Sequence, residues 1–220
     1  SSKENTINIG DAGTSFRFLT SYLSIQKGQE FILTGSNRMK ERPIKELVSV
    51  LQKMGAKIEY LENEGFPPLK IIGTDLNGSS VTLDAAISSQ YISALMLIAP
   101  SLKNGLTINL EGKITSIPYI NMTLDLLKKV GVSGTFSNNK IEIKHTKTVN
   151  SIAVNVESDT SDNSNIAAAA SPTIHSLPSN FKNLSAAAPV VLTSARSPTF
   201  AKAIRASATT IPRAVVQYMF

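Results

Sequence analysis

An internal repeat constrains the fold of this chain more than any other feature of the sequence. Three pairs of matching positions are each 76 residues apart: Gly13 and Ser89, Ile32 and Ile108, and Gly55 and Gly131. Each unit contains two helical segments and about four strand segments. A third copy begins near Ile152 and fades within residues 167–170. Repeats of this length set the architecture, because every copy builds the same supersecondary unit.

The predicted elements follow from apolar spacing and from helix-ending residues. Apolar residues recur with the spacing of one helix face at Ile44, Leu47, Val48, Leu51 and Met54. Pro43 suits the first helical position, and Gly55 suits the left-handed residue after the helix. The first unit is predicted to contain strands 6–9, 30–34, 56–61 and 69–72, and helices 14–25 and 43–54. The second is predicted to contain strands 81–83, 106–110, 132–136 and 140–144, and helices 88–98 and 118–130.

The composition restricts the chemistry that this chain supports. Its 220 residues include no cysteine, which excludes disulfides, cysteine-ligated zinc and a cysteine nucleophile. The two histidines are too few for a histidine-rich metal site. No apolar run reaches the roughly 18 residues that a membrane span needs. The net charge of +6 is not arranged as a basic stripe with aromatic residues. We therefore predict neither a membrane nor a nucleic acid as a partner.

The end of the chain differs in composition from the rest. Residues 163–220 contain no acid and no glycine but five of the ten prolines, and ordinary domains do not lose both over such a length. Disorder is one interpretation, and undependable residue identities are another. We predict a domain over residues 1–162, with two full repeats and the start of a third. The tail 163–220 then holds the rest of the third repeat.

A basic turn over residues 35–44 joins the strand 30–34 to the helix that follows. It carries Arg38 and Arg42, whose forked guanidinium groups match carboxylate and phosphate. The unpaired N–H groups of a helix N-terminus attract the same anions. A solvated basic loop is the alternative interpretation of this turn. Because the layout recurs in the second unit, the sequence favours an anion site.

The repeat is expected to bring several helix N-termini together at one end of the molecule. The candidate binding residues at these termini are Gly13, Thr14, Arg17, Ser88, Ser89, Gln90, Ser116 and Tyr119. Hydroxyl groups bind phosphate or sugar-like hydroxyls, and several positive helix ends favour a substrate with several negative charges. Each residue also has an ordinary alternative. The serines are candidate helix caps, Arg17 a partner of a nearby acid, and Tyr91 and Tyr119 packing residues.

Four motifs in this order resemble the EPSP synthase family, 3-phosphoshikimate 1-carboxyvinyltransferase. They are residues 11–19, 35–44, 88–91 and 116–120, and the likeness covers about residues 6–160. The resemblance implies an α+β, inverse-barrel-like enolpyruvyl transferase domain built of βαβαββ repeats. It also implies a second domain of the same polypeptide, which this sequence lacks.

The resemblance further implies roles for the matching residues. Arg38 and Gln90 are expected to be catalytic, with Arg38 stabilising the phosphoenolpyruvate anion. The expected substrate-binding residues are Gly13, Thr14, Arg17, Ser88, Ser89, Gln90, Ser116 and Tyr119. The serines, Gln90 and Tyr119 are assigned to shikimate 3-phosphate, and Gly13 with Thr14 beside it to phosphoenolpyruvate, which Gln90 is also expected to reach.

The reaction implied by the family is enolpyruvyl transfer from phosphoenolpyruvate to the 5-hydroxyl of shikimate 3-phosphate, which gives EPSP and phosphate. It needs no metal or redox cofactor and belongs to the shikimate pathway of aromatic amino-acid biosynthesis. The family implies a cytoplasmic enzyme that is monomeric when complete. Because the second domain is missing, this piece alone is expected to bind weakly and to turn over little.

Two departures and two alternatives accompany this interpretation. Asp11 stands where the family usually has asparagine, and residues 157–162 follow the family's acidic, serine-rich motif only loosely. The related UDP-N-acetylglucosamine enolpyruvyl transferases share the fold, but most carry a catalytic cysteine that this chain lacks. A non-catalytic anion-binding domain of the same fold is the other alternative.

Overall fold

The computed structural model describes residues 5–115 and 117–147, which contain the first two repeat units. The first unit forms β1 (Asn5–Asn8), α1 (Gly13–Ser24), β2 (Glu30–Thr34), the short helix α2 (Asn37–Lys40), α3 (Lys45–Lys53), β3 (Lys57–Tyr60) and β4 (Leu69–Ile72). The second forms β5 (Ser80–Asp84), α4 (Ser89–Ile98) with a 3₁₀ turn after it (Ala99–Ser101), β6 (Leu106–Glu111), α5 (Ile117–Lys129), β7 (Gly134–Ser137) and β8 (Lys140–Ile143). Every strand and helix predicted for these two units is present, and α2 is an unpredicted addition.

Each unit forms one four-stranded sheet with the same arrangement of strands. The orders are β1-β2-β4-β3 and β5-β6-β8-β7. The first two strands of each sheet are parallel and the other pairs are antiparallel. A parallel pair needs a crossover connection, which α1 and α4 supply. The order of the main elements is therefore βαβαββ in both units, as the resemblance implies.

The hairpins that end the two units differ in length. Residues 61–68 join β3 to β4, whereas Asn138 and Asn139 alone join β7 to β8. These asparagines have φ values of +50° and +59°, which a two-residue type I′ turn requires. The offset between equivalent elements consequently falls from 76 residues at the starts of α1 and α4 to 71 at the starts of β4 and β8.

Two neighbouring helices, α1 and α4, supply much of the core. Every residue of α4 from Tyr91 to Ile98 is buried, as expected for a helix that is apolar on all sides. The helix α1 packs beside it and buries Phe16, Phe18 and Leu19. Burying one such side chain contributes roughly 1.5–3 kcal/mol. This packing places the N-termini of the two helices side by side.

The prediction that Pro43 is the first helical residue is wrong. α3 begins at Lys45, because Ile44 has the non-helical φ of −135°. The N–H of Ile44 donates instead to the Gly65 carbonyl at 2.9 Å. Pro43 therefore lies in the turn, with its own carbonyl oxygen outside the helix. Gly55 follows α3 with φ of +100°, as predicted.

Several predictions concern residues that lie outside the described part of the chain. They are the third repeat from residue 152, the loosely matching segment 157–162, the tail 163–220 and the predicted site residue Ser116. Within residues 5–115 and 117–147, no helix has the length and apolar character that crossing a membrane requires.

Candidate functional site

The N-termini of α1 and α4 are joined by a side-chain hydrogen bond. The amide nitrogen Nε2 of Gln90 donates to the hydroxyl of Thr14 at 2.8 Å. These residues are 76 positions apart and so occupy the same place in the two units. The predicted convergence of helix N-termini is therefore confirmed for these two helices.

Arg17 makes two contacts at this end of α1. Its Nη1 donates to the carbonyl of Gly13 at 2.8 Å, and its guanidinium carbon lies 5.6 Å from the centre of the Tyr91 ring. The Nε of Arg17 is buried and has no hydrogen-bond partner in the described residues. No acid within residues 5–115 and 117–147 forms an ion pair with Arg17. The alternative that Arg17 pairs with a neighbouring acid is thus not supported.

Gly13 allows two guanidinium groups to approach the start of α1. A Cβ atom at this position would lie 2.3 Å from Nη1 of Arg42 and 2.9 Å from Nη1 of Arg17. Both distances are shorter than a non-bonded contact permits, so the site requires glycine for this arrangement. Arg42 belongs to the basic turn, and its approach to Arg17 across Gly13 is a feature that the sequence did not predict.

The basic turn is fastened to the loop between β1 and α1. The hydroxyl of Ser36 donates to the Asp11 carboxylate and accepts from the N–H of Met39 at 3.3 Å, which caps α2. The N–H of Ser36 donates to the Gly10 carbonyl at 3.0 Å. A Cβ on Gly35 would lie 2.6 Å from that same carbonyl oxygen. These contacts set the position of α2, on which Arg38 is exposed.

Tyr91 connects the second unit to the turn that precedes α3. Its hydroxyl donates to the carbonyl of Pro43 at 2.8 Å, and its side chain is buried. Burial raises the pKa of Tyr91, and the nearby Arg17 guanidinium opposes part of that increase. The hydroxyl therefore remains protonated at neutral pH and is available as a donor.

The arginines of the site are left without carboxylate partners, whereas nearby lysines are paired. Lys40 contacts Glu62 at 2.6 Å, and Lys45 contacts Glu64 at 2.7 Å. Among the residues that the structure describes, Arg17, Arg38 and Arg42 form no ion pair. Unpaired guanidinium groups beside a helix N-terminus are suited to bind an anion.

The start of α4 adds polar groups that are not used as caps. Ser88 occupies the N-cap position, but its side chain forms no capping hydrogen bond. The alternative that Ser88 serves as a helix cap is therefore wrong in this structure. Ser88 is exposed, and Ser89 and Gln90 are half-buried, so their polar groups remain accessible to a ligand.

Tyr119 lies apart from the contacts described above. It is in the first turn of α5, is 56% exposed, and its carbonyl accepts from the hydroxyl of Thr123 at 2.8 Å. No hydrogen bond in residues 5–115 and 117–147 links the Tyr119 side chain to Arg17, Arg42 or Gln90. The structure thus brings Gly13, Thr14, Arg17 and Gln90 into one cluster and leaves Tyr119 at its own helix start.

This cluster has the groups to bind and stabilise an anion. It offers the guanidinium of Arg17, the amide of Gln90 and the hydroxyl of Thr14, and the guanidinium of Arg42 adjoins it at Gly13. The carboxylate of Asp11 is already hydrogen-bonded to Ser36. Fixed donors of this kind stabilise negative charge that develops during a reaction, because they need little reorganisation.

Comparison with known proteins gives one consistent result. A family model described as EPSP synthase (3-phosphoshikimate 1-carboxyvinyltransferase) matches residues 1–175. The 3-phosphoshikimate 1-carboxyvinyltransferase of Bacteroides fragilis strain YCH46 is 50% identical over 153 residues, which cover 70% of this chain and 37% of the relative. That of Colwellia psychrerythraea strain 34H is 50% identical over 125 residues, covering 57% and 29%. The chain spans about a third of the length of these relatives.

A solved structure supports the same similarity at the level of the fold. The EPSP synthase from Acinetobacter baumannii superposes with a TM-score of 0.58 at 26% sequence identity. The match covers 66% of this chain and 32% of that one. The mixed α+β architecture with two sheets of the same strand order agrees with this match.

Proposed function

This chain belongs to the EPSP synthase family, and on that basis we propose the reaction of the protein that contains it. It transfers the enolpyruvyl group of phosphoenolpyruvate to the 5-hydroxyl of shikimate 3-phosphate. The products are EPSP and phosphate, in the shikimate pathway. The same family membership supports a cytoplasmic, monomeric enzyme that uses no metal or redox cofactor, with residues 1–162 in one domain and 163–220 as the rest of its third repeat.

The observation that carries the proposal is the convergence on Gly13 of two guanidinium groups that have no carboxylate partner among the described residues. Arg17 and Arg42 both lie close enough to Gly13 to exclude a Cβ atom there, at the N-terminus of a 12-residue helix. Phosphoenolpyruvate carries a carboxylate and a phosphate, which match forked donors and a helix N-terminus. We assign it to Gly13, Thr14, Arg17 and Arg38, and add Arg42 to this set.

Shikimate 3-phosphate is assigned to the start of α4. Ser88 and Ser89 present hydroxyls beside Gln90, and Ser116 and Tyr119 complete the proposed phosphate site. Gln90 donates to Thr14 at 2.8 Å, so its amide lies between the groups assigned to the two substrates. This position supports a role for Gln90 in aligning them, because a correct relative orientation lowers the barrier of a bimolecular reaction.

In the proposed reaction the 5-hydroxyl of shikimate 3-phosphate loses its proton to a base as its oxygen bonds to C2 of phosphoenolpyruvate, and C3 gains a proton from an acid and becomes a methyl group. The tetrahedral intermediate then loses a proton from C3 and releases phosphate, which restores the double bond. Arg38, with Arg17 and Arg42, stabilises the phosphate and carboxylate charges throughout. We assign the proton transfers to groups outside the described residues, because this cluster holds cations and neutral donors around its bound anion.

The proposal is tested by assaying the full-length protein with both substrates. We expect phosphate release that requires phosphoenolpyruvate and shikimate 3-phosphate together, and no release when UDP-N-acetylglucosamine replaces shikimate 3-phosphate. Phosphate release from phosphoenolpyruvate with UDP-N-acetylglucosamine, but not with shikimate 3-phosphate, would favour the related transferase. Saturable binding of phosphoenolpyruvate without turnover of either acceptor would favour a non-catalytic anion-binding domain.

A further inference from the structure

The side chain of Tyr91 contacts both Arg17 and the segment that carries Arg42. Its hydroxyl donates to the carbonyl of Pro43 at 2.8 Å, the residue directly after Arg42. Its ring lies 5.6 Å from the guanidinium carbon of Arg17. One residue of the second unit therefore touches the two segments of the first unit that carry Arg17 and Arg42.

The surroundings of Tyr91 make both contacts specific. The side chain is only 4% exposed, so its hydroxyl has to be paired, and a buried unpaired hydroxyl is costly. Because burial raises the Tyr91 pKa, the group is a permanent donor at neutral pH. A guanidinium over an aromatic face is attracted more strongly when water is excluded.

The contacts of Tyr91 are not a general product of the repeat. The equivalent position in the first unit, 76 residues earlier, is Ser15, whose short side chain has no comparable reach. The carbonyl of Pro43 is free to accept this bond because α3 begins only at Lys45. A long aromatic side chain and a displaced helix start are both needed for the bridge.

We propose that Tyr91 is a positioning residue that holds Arg17 and the Arg42–Pro43 segment against Gly13 so that both guanidinium groups bind phosphoenolpyruvate. This inference rests on the proposed function. Tyr91 contacts no substrate itself and acts through the two arginines. Its removal should therefore affect the substrate bound by those arginines more than the substrate assigned to the start of α4.

The test compares Tyr91→Phe, Tyr91→Leu and Tyr60→Phe in the full-length protein. Tyr91→Phe keeps the ring and loses the bond to Pro43, and we expect the KM for phosphoenolpyruvate to rise roughly 3- to 10-fold. Tyr91→Leu also loses the contact with Arg17, so we expect a larger rise. In both variants the KM for shikimate 3-phosphate should remain close to that of the unaltered protein.

Tyr60→Phe is the matched control. Tyr60 is also partly buried, and burial, together with the nearby Glu64, Glu46 and Tyr91, raises its pKa to about 12. Its hydroxyl thus lies near Tyr91 but forms no hydrogen bond among the described residues, so this variant controls for the loss of a neighbouring tyrosine hydroxyl. We expect unchanged KM values for this variant. A purely structural role for Tyr91 predicts instead a lower melting temperature with both KM values changed equally, or neither changed, and this result would overturn the proposal.

An activity-independent measurement separates this inference from the proposed function. The NMR chemical shift of the Arg17 Nε–H is sensitive to the Tyr91 ring, because the guanidinium lies over that ring. We expect it to move most in Tyr91→Leu, to move less in Tyr91→Phe, which keeps the ring but removes the hydroxyl near Arg17, and to stay unchanged in Tyr60→Phe. If the unaltered protein shows no enolpyruvyl transfer, the proposed function fails. If the Arg17 signal does not move in Tyr91→Leu, the positioning role fails, whatever the activity.

Discussion

At the scale of single residues, Gly13 decides how closely Arg17 and Arg42 approach each other. The atoms that a Cβ would meet are the ends of flexible side chains, so an alanine can be accommodated if the guanidinium groups move away. Alanine also restricts the unfolded chain, which stabilises a protein by roughly 0.4–1 kcal/mol where the backbone is compatible. Function and stability should therefore respond differently to this substitution.

We predict that Gly13→Ala leaves the melting temperature unchanged or slightly higher and raises the KM for phosphoenolpyruvate on the order of tenfold, because the arginines lose their alignment. Steady-state kinetics and thermal unfolding of the full-length protein measure the two effects. The effect on KM should shrink when Arg42→Ala is already present, since the clash is then partly removed. An equal effect in both backgrounds would contradict the role given to Arg42.

Asp11 places a negative charge beside the cluster, and its bond to Ser36 holds the basic turn. We predict that Asp11→Asn tightens phosphoenolpyruvate binding about two- to fivefold, since the repulsion is removed and a side-chain acceptor remains. Asp125→Asn on α5 is the control with the same change of charge. Calorimetric titration at low and high salt checks the prediction, because an electrostatic gain shrinks as salt is added. Weaker binding by Asp11→Asn would show that the carboxylate is needed to hold the turn.

Arg38 is exposed on α2 and makes no ion pair within the described residues. We predict that Arg38→Ala weakens phosphoenolpyruvate binding by about 1–3 kcal/mol, as expected for a hydrogen bond to a charged group. Stability should change little, because no buried contact is lost. Lys53→Ala, at the exposed end of α3, is the control. Unaltered affinity in Arg38→Ala would remove this residue from the site.

At the scale of secondary-structure elements, a buried pair of hydroxyls joins α4 to α5. The hydroxyls of Ser93 and Thr123 lie 2.9 Å apart, and Thr123 also donates to the Tyr119 carbonyl at 2.8 Å. The hydroxyl of Thr123 thus has two hydrogen-bond partners, whereas the hydroxyl of Ser93 has only Thr123 among the described residues. Since an unpaired buried hydroxyl costs more than a missing pair, the two positions should differ in their tolerance to substitution.

We predict that Thr123→Val lowers the free energy of unfolding by about 1–3 kcal/mol, because it leaves the Ser93 hydroxyl unpaired. Ser93→Ala should cost less, since Thr123 keeps its bond to Tyr119. The double variant should cost less than the sum of the single ones. Urea unfolding measures all three, and a larger loss in Ser93→Ala than in Thr123→Val would refute this account of the pair.

At the scale of the whole molecule, the order of elements was predictable from the sequence. Two signals lie within short stretches of sequence, namely the apolar face of α3 and the glycine after it. The 76-residue repeat then extends the same assignment to the second unit. The short α2 was missed because a helix of four residues has no periodicity to detect. The start of α3 was misplaced because the N–H of Ile44 pairs with Gly65, which lies far along the chain.

The candidate site was predictable only in part. The basic turn and the polar start of α4 were visible as motifs, and the bond between Gln90 and Thr14 agrees with their expected convergence. The approach of Arg42 to Arg17 over Gly13, and the bridge made by Tyr91, depend on how two units pack against each other. The spacing of residues along the sequence does not show such contacts between units, so only the structure could identify them.

The bond between Thr14 and Gln90 also has a geometric meaning. When one copy of a unit is related to the next by rotation, positions far from the axis are carried apart, and only positions beside the axis meet their own equivalents. Thr14 and Gln90 are equivalents that touch, as expected of positions beside such an axis. An asymmetric ligand bound there meets the same position twice, with a hydroxyl on one side and an amide on the other. Divergence of the two copies at this position therefore makes the two sides of the proposed site chemically different.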